Sequence, residues 1–251
     1  MICFNHKYGD GYRKSHISRN LQTLRASLGR HMPLLNGTMQ QDVHEALLAI
    51  LNVLHESTRQ LIIPDLDEEL IADELFTSFP RYLFRLSMSE KYVCLICKES
   101  SNIDLFEDEL LLSSKQKSNV NSMINEYLDS KVDKKCESDL CKCDRYHSLS
   151  RILSSPPRIL RIVIKRFTNA GLKKQDEINI NTRINIFNVN YSLLGVIHHT
   201  GSTIKSGHYY CTVKYSTFLN INDDRVTSQQ MSELKNSKTA YILFYKSDPT
   251  A

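Results

Sequence analysis

No apolar run in this chain approaches the ~18 residues that a membrane helix needs, so no membrane partner is expected. The N-terminus, Met1-Ile2-Cys3-Phe4-Asn5-His6, has no long apolar core of a secretory signal, which gives a cytoplasmic or nuclear expectation. There is no internal repeat and no low-complexity tract. Glycine and proline number only 8 and 6, and fibrous designs are excluded. Charge of one sign is scarce too: 32 Lys and Arg against 28 Asp and Glu leave +4. Basic residues are scattered, the densest pairs being Lys134-Lys135 and Lys173-Lys174. Nucleic acid is therefore not an expected partner.

What is present is ordinary for a globular protein. The 251 residues are 41% hydrophobic and 24% charged. That length suits one large domain or two small ones and can bury a sizeable core. The seven cysteines are unevenly spread. Cys94 and Cys97 form a C-x-x-C, Cys136, Cys141 and Cys143 cluster, and Cys3 and Cys211 stand alone. Without a secretory signal a disulfide framework is not expected, and two clusters in a reducing compartment suggest zinc.

Helical spacing of Ile17, Leu21, Leu24 and Leu28 predicts a helix over 15–29. Thr38 and Gln41 fit a capping box for a second helix, with Val43, Ala46, Leu47, Ile50, Leu51 and Leu54 as its apolar stripe. Residues 57–75 read as a connection. From Pro80 the pattern turns to strands: Tyr82 to Leu86, Tyr92 to Cys94, and Ile103 to Leu112. Residues 113–135 read as a helix with loops. A β-rich half follows, with strands at Ile159 to Phe167, Tyr191 to Ile197, His208 to Tyr215 and Ala240 to Tyr245.

Along His208 to Tyr215, side chains alternate between faces. His208 shares the more polar face with Tyr210, Thr212 and Lys214, and Gly207 before it allows close backbone approach. Fourteen positions on, Asn222-Asp223-Asp224 offers turn chemistry. A strand–turn–strand would return it beside His208. An Asn or Asp on one imidazole nitrogen fixes the tautomer and leaves the other nitrogen as a base.

These segments resemble the ubiquitin-specific proteases, the papain-like deubiquitinases. Gln40-Gln41-Asp42-Val43-His44-Glu45 is similar to their Gln-Gln-Asp-x-His-Glu box. Tyr92 to Cys97 with Ser101 is similar to the first zinc knuckle, and Pro157 to Phe167 to the "P-x-x-L…L-K-R-F" segment. Tyr191 to Gly201 resembles the strand ending in His-x-Gly. Ser206-Gly207-His208-Tyr209 resembles the histidine box, Asn222 to Val226 the box of the third catalytic residue, and Ala240 to Tyr245 the closing strand. The matches run in order over nearly the whole chain. The resemblance implies an α+β, papain-like fold with an incomplete helical thumb (1–75), fingers with a zinc knuckle (76–150) and a palm with the histidine box (151–251), all one domain.

The same resemblance implies His208 as general base, Asn222 as its orienting residue and Asp223 as the neighbouring candidate. His199, Gly207 and Tyr209 would line the cleft. The implied reaction is hydrolysis at the ubiquitin C-terminus, with ubiquitin and ubiquitinated proteins as partners and no organic cofactor. The family's nucleophile lies upstream of the Gln-Gln-Asp box in a motif this sequence lacks. Cys3 is a poor substitute, since His6 to Gly11 makes a poor helix, and Cys211 lies on the strand face opposite His208. The expectation is an enzyme domain truncated at its N-terminus. The alternatives are a pseudoenzyme that binds ubiquitin without cutting it, or a cysteine helix supplied by another chain. Cys94, Cys97, Cys136 and Cys141 are expected to hold a structural zinc, with Cys143 as a substitute ligand.

Overall fold

The computed structural model describes residues 40–58, 78–141, 143–144, 146–186 and 188–248, with short stretches between 19 and 33. The described residues from 19 to 30 are helical, where a helix is expected. Cys3, Gly37 and Thr38 lie outside the described residues, as does most of the 57–75 connection.

Helix α1 (Val43–Thr58) starts later than the Thr38 pattern suggests. Asp42 is its cap: Oδ1 accepts from the N–H groups of His44 at 2.8 Å and Glu45 at 3.4 Å, two donors that no helical carbonyl can reach. Tyr82 to Leu86, expected as a strand, is mostly helix α2 (Phe79–Phe84). Ser78 caps it and Pro80 sits in its first turn, where a missing N–H costs nothing.

Strand β1 (Leu86–Cys94) opens a small sheet with β2 (Ser100–Glu107). The expected strand from Ile103 to Leu112 is in fact two. Asp108 and Glu109 break it, and β3 (Leu110–Ser113) leaves for the large sheet. Short β4 (Ser118–Asn119) leads into α3 (Val120–Leu128). Asn119 and Ser122 cap this helix reciprocally. Strands β5 (Asp129–Val132) and β6 (His147–Ser155) complete the small antiparallel sheet, in the order β2-β1-β6-β5.

The large sheet uses β7 (Ile159–Lys165), β9 (Arg183–Ile186), β10 (Val189–Thr203), β11 (Ser206–Lys214), β12 (Phe218–Asn222), β13 (Arg225–Gln229) and β14 (Ala240–Ser247), and short β8 (Ile178–Asn179) pairs with β4. Its order is β13-β12-β11-β10-β14-β7-β3, with β9 on β10. Only the β3–β7 edge of this sheet is parallel. The sheets do not respect a division at 150/151, because β6 crosses it and β3, numbered among the fingers, pairs with β7.

The core follows from the strand pattern. Leu160, Ile162 and Ile164 alternate along β7 and are 1% exposed or less, each contributing about 1.5–3 kcal/mol through burial. They pack with Leu86, Met88, Leu112, Ile178 and Tyr245. On the opposite face, Val163, Tyr241 and Ile242 meet Val43 and Leu47 of α1. Two arginines are buried with them. Arg166 donates to the carbonyls of Ala240 (2.6 Å), Asp176 (2.8 Å) and Ser237 (2.9 Å). Arg161 pairs with Glu109 at 2.8 Å.

Candidate active site

The site grows from three antiparallel strands. In the β11–β12 pairing Cys211 faces Ile221, so Asn222 falls opposite Tyr210 by continuation of the register. His208 lies two residues further along β11 on the same face. This diagonal spacing lets the side chains meet: His208 Nε2 donates to Asn222 Oδ1 at 2.6 Å. With Nε2 carrying its proton to the amide oxygen, neutral His208 leaves the Nδ1 lone pair free. Asp223 Oδ2 is 3.8 Å from the same Nε2. Asp223 has φ 53°, a left-handed position in the two-residue turn between Asn222 and Arg225 that Asp tolerates. His208 is 46% exposed and Asp223 78%, so the group faces solvent.

Helix α1 reaches across to this strand. Gln40 Oε1 accepts the Gly207 N–H at 2.8 Å, next to His208. Buried Asp42 accepts from Tyr209 and Tyr241, each at 3.1 Å. Burial and the Asp42 carboxylate hold both phenols well above their usual range. The Gln-Gln-Asp segment thus clasps the histidine strand from behind.

His199 does not line an open cleft. It pairs with Tyr209, and Thr200 pairs with His208, so His199 and His208 point to opposite faces. Its ring is 1% exposed and packs edge-on against Phe167. Its Nδ1 has no hydrogen-bond partner among the described residues. What it does is fill the space beside Gly207, where an added Cβ would stand 2.2 Å from His199 Nε2. Buried Lys173 donates to the His199 carbonyl, and burial pushes its ammonium down to about 8.

One neighbour escaped the sequence reading. His198 stacks on Tyr210 with centroids 4.5 Å apart. Its Nδ1 lies 3.0 Å from Thr239 Oγ1 and its Nε2 3.0 Å from Thr212 Oγ1. Thr212 donates onward to Gln229 Oε1 at 2.7 Å, so its oxygen accepts from Nε2–H and Nδ1 accepts from Thr239. Burial pushes this imidazole down to about 4. The alternation of the strand put His198 on the His208 face, but its seal of hydroxyls comes from residues 12 or more positions away.

At the far end of the small sheet, the Sγ atoms of Cys94, Cys97, Cys136 and Cys141 all lie within 4.8 Å of one another. Cys97 and Cys136 are 3.5 Å apart, and Cys94 and Cys141 3.9 Å. Four thiolates around zinc, with Zn–S near 2.3 Å, stand about 3.8 Å apart, so the donor set and spacing fit that ion. The N–H groups of Cys97 and Ile96 pull the Cys94 thiol down to about 6, while Cys97 and Cys136, desolvated and crowded by the neighbouring thiols, are held above their usual value. Cys143 is outside this cluster, and its carbonyl accepts the Cys136 N–H at 2.7 Å.

A family model described as ubiquitin carboxyl-terminal hydrolase matches residues 4–245. The probable ubiquitin carboxyl-terminal hydrolase 16 of Schizosaccharomyces pombe is 28% identical over 229 residues, which is 84% of this chain and 48% of that protein. Ubiquitin carboxyl-terminal hydrolase 17-like protein B of Mus musculus is 28% identical over 228 residues, 82% of this chain and 46% of that protein. The chain therefore spans about half the length of these relatives. Among solved structures, a chain of the SAGA Ubp8/Sgf11/Sus1/Sgf73 DUB module bound to ubiquitin aldehyde superposes with TM-score 0.75 at 22% identity, covering 91% of this chain and 54% of that one. In the same module bound to monoubiquitin the values are 0.74, 24%, 91% and 53%. At this identity the structures speak for the fold, and the family model speaks for descent. With a match that takes in α1, both sheets and β14, the chain belongs to the ubiquitin carboxyl-terminal hydrolase family and carries the ubiquitin-specific protease fold.

Proposed function

We propose that this chain is the ubiquitin-engaging part of a cysteine-type deubiquitinase, with His208 as general base, Asn222 as the residue that orients it and Asp223 as a second, solvated partner. The observation that carries the reading is the 2.6 Å bond from His208 Nε2 to Asn222, in a chain of this family. It leaves Nδ1 to take a thiol proton and return it to the departing amine. The relatives' names support ubiquitin conjugates as the substrate class.

The thiol is the open part. Five described cysteines sit at the small sheet, and Cys211 is on the face of β11 opposite His208, its Sγ 3.8 Å from the Ile221 carbonyl. Neither group serves His208. That placement favours, as a second reading, a domain that holds ubiquitin without cleaving it. The cysteine cluster is read as a structural zinc site. Four thiolates leave no open position for water, so the ion would tie β1 to the loop before β6 and take no part in hydrolysis.

The test uses the chain itself with ubiquitin carrying a cysteine-reactive C-terminal warhead, read by intact mass and peptide mapping. An adduct lost in His208→Ala establishes the enzyme. Binding without an adduct excludes cleavage by this chain alone, the result expected both of a pseudoenzyme and of an enzyme domain separated from its cysteine, and absence of binding overturns both readings.

A further inference from the structure

We infer that His44 and Glu109 are positioning residues: clamped on Arg161, the Glu109 carboxylate fixes the start of helix α1 and, through Gln40, the backbone beside His208. This rests on the reading of His208 above and adds to it the source of its placement.

Glu109 stands in the two-residue break between β2 and β3, where the small sheet meets the large one. Both of its oxygens face His44 Nε2, at 2.8 and 3.0 Å. Its Oε2 also lies 2.8 Å from Arg161 Nε, an ion pair bent away from a straight hydrogen bond. Arg161 is 1% exposed, its Nη1 has no hydrogen-bond partner among the described residues, and its guanidinium lies 5.6 Å from the Phe84 ring centre. Glu109 is the carboxylate that answers this buried cation. Neighbouring Asp108 is already engaged by Arg85 at 2.8 Å. A buried ion pair gives little net stability over apolar residues of the same volume. What it does give is a carboxylate with a fixed address.

His44 converts that address into helix orientation. Asp42 on Tyr209 and Tyr241, with Val43 and Leu47 packed beside it on Val163 and Ile242, holds the start of α1 to the large sheet only. The His44–Glu109 contact adds a second wall, the break between β2 and β3. Gln40 lies two residues before Asp42 and spends its amide oxygen on the Gly207 N–H. Gly207 leaves no room for a Cβ beside His199 and the Thr200 carbonyl, and its peptide bond joins it directly to His208. The His44–Glu109 contact holds in either charge state of the imidazole, because Nε2 can donate in both.

The experiment is nitrogen-15 histidine NMR on the whole chain, following the His208 ring through a pH titration and identifying its signal by its loss in His208→Asn. Ubiquitin affinity is measured alongside. His44→Leu leaves the Glu109–Arg161 pair intact. It should mix the His208 tautomers and move its titration midpoint by roughly half a unit or more. His44→Gln, which can still donate to Glu109, should restore the wild-type titration. Gln40→Met, at the exposed start of the path, should reproduce the His44→Leu change even if that variant folds poorly. A His208 titration unaltered by His44→Leu or by Gln40→Met, or no restoration by His44→Gln, overturns the inference. A wild-type ring that never shows the Nε2–H form overturns the reading of the site itself, and the inference falls with it.

Discussion

A methyl group added at Gly207 would meet His199 Nε2 at 2.2 Å and the Thr200 carbonyl at 2.3 Å. The second obstacle is backbone and cannot swing aside, so Gly207→Ala should cost about 1–3 kcal/mol and reduce warhead capture more than it reduces stability. Comparing urea midpoints with adduct rates checks this. If the chain is an enzyme, His208→Ala should abolish hydrolysis, whereas Asn222→Ala should leave measurable turnover, since Asp223 is 3.8 Å away and can hold the ring in part. Equal loss in both variants would remove the distinction. His198 sets a pH dependence of its own. Its folded value is about 4 against 6.5 in the unfolded chain, so below pH 6.5 the unfolded state takes up the proton first. Stability from this residue is complete above that pH and is lost as pH falls from 6.5 to 4, about 3 kcal/mol in all. Urea unfolding at pH 7 and pH 5 should show the fall, and His198→Asn should flatten it.

At the scale of elements, the histidine hairpin and the closing strand were legible because their signals are local. A run of β-branched and aromatic residues marks β10, β11 and β14, and the fourteen residues from His208 to Asn222 bring both to one face. The cap of α1 was also within reach: Asp42 and Glu45 have the same spacing as Thr38 and Gln41, and only tertiary contacts with Tyr209 and Tyr241 decide between them. Tyr82 to Leu86 looks like a strand by composition, yet Ser78 and Pro80 start a helix. The expectation of His199 at the cleft came from the family resemblance, and a sequence motif carries no sign of the Phe167 packing that buries its ring. Arg161 and Glu109 gave no sequence signal, since their pairing spans two sheets. The Cys94/Cys97 knuckle was readable from spacing, whereas the irregular spacing of Cys136, Cys141 and Cys143 left the last ligand open. If Cys94, Cys97, Cys136 and Cys141 hold the proposed zinc, a tie between β1 and the β6 loop, a strong chelator will speed amide exchange in β1, β2 and β6 while leaving β10 and β14 protected. Uniform exchange throughout would mean the metal holds the whole molecule.

At the scale of the molecule, Arg166 gathers carbonyls from Asp176, Ser237 and Ala240, reinforcing the Ile178–Ser237 bridge between the first two segments. Arg166→Met should cost about 1–3 kcal/mol, because the buried Ala240 carbonyl and the half-buried Asp176 carbonyl lose this donor while the Ser237 carbonyl keeps the Ile178 N–H. Thermal denaturation of the variant measures it, and a near-neutral result would show that water replaces the guanidinium. Strand β14 has the other molecule-wide consequence. It lies between β10 and β7 in the middle of the large sheet, yet it comes after every other strand among the described residues. A ribosome therefore releases the two halves of the large sheet before the strand that joins them exists. Until residue 247 clears the exit tunnel, β7 and β10 each present a bare, strongly apolar edge, the kind of surface that holding chaperones recognise. The small sheet, complete by residue 155, can fold while the rest waits.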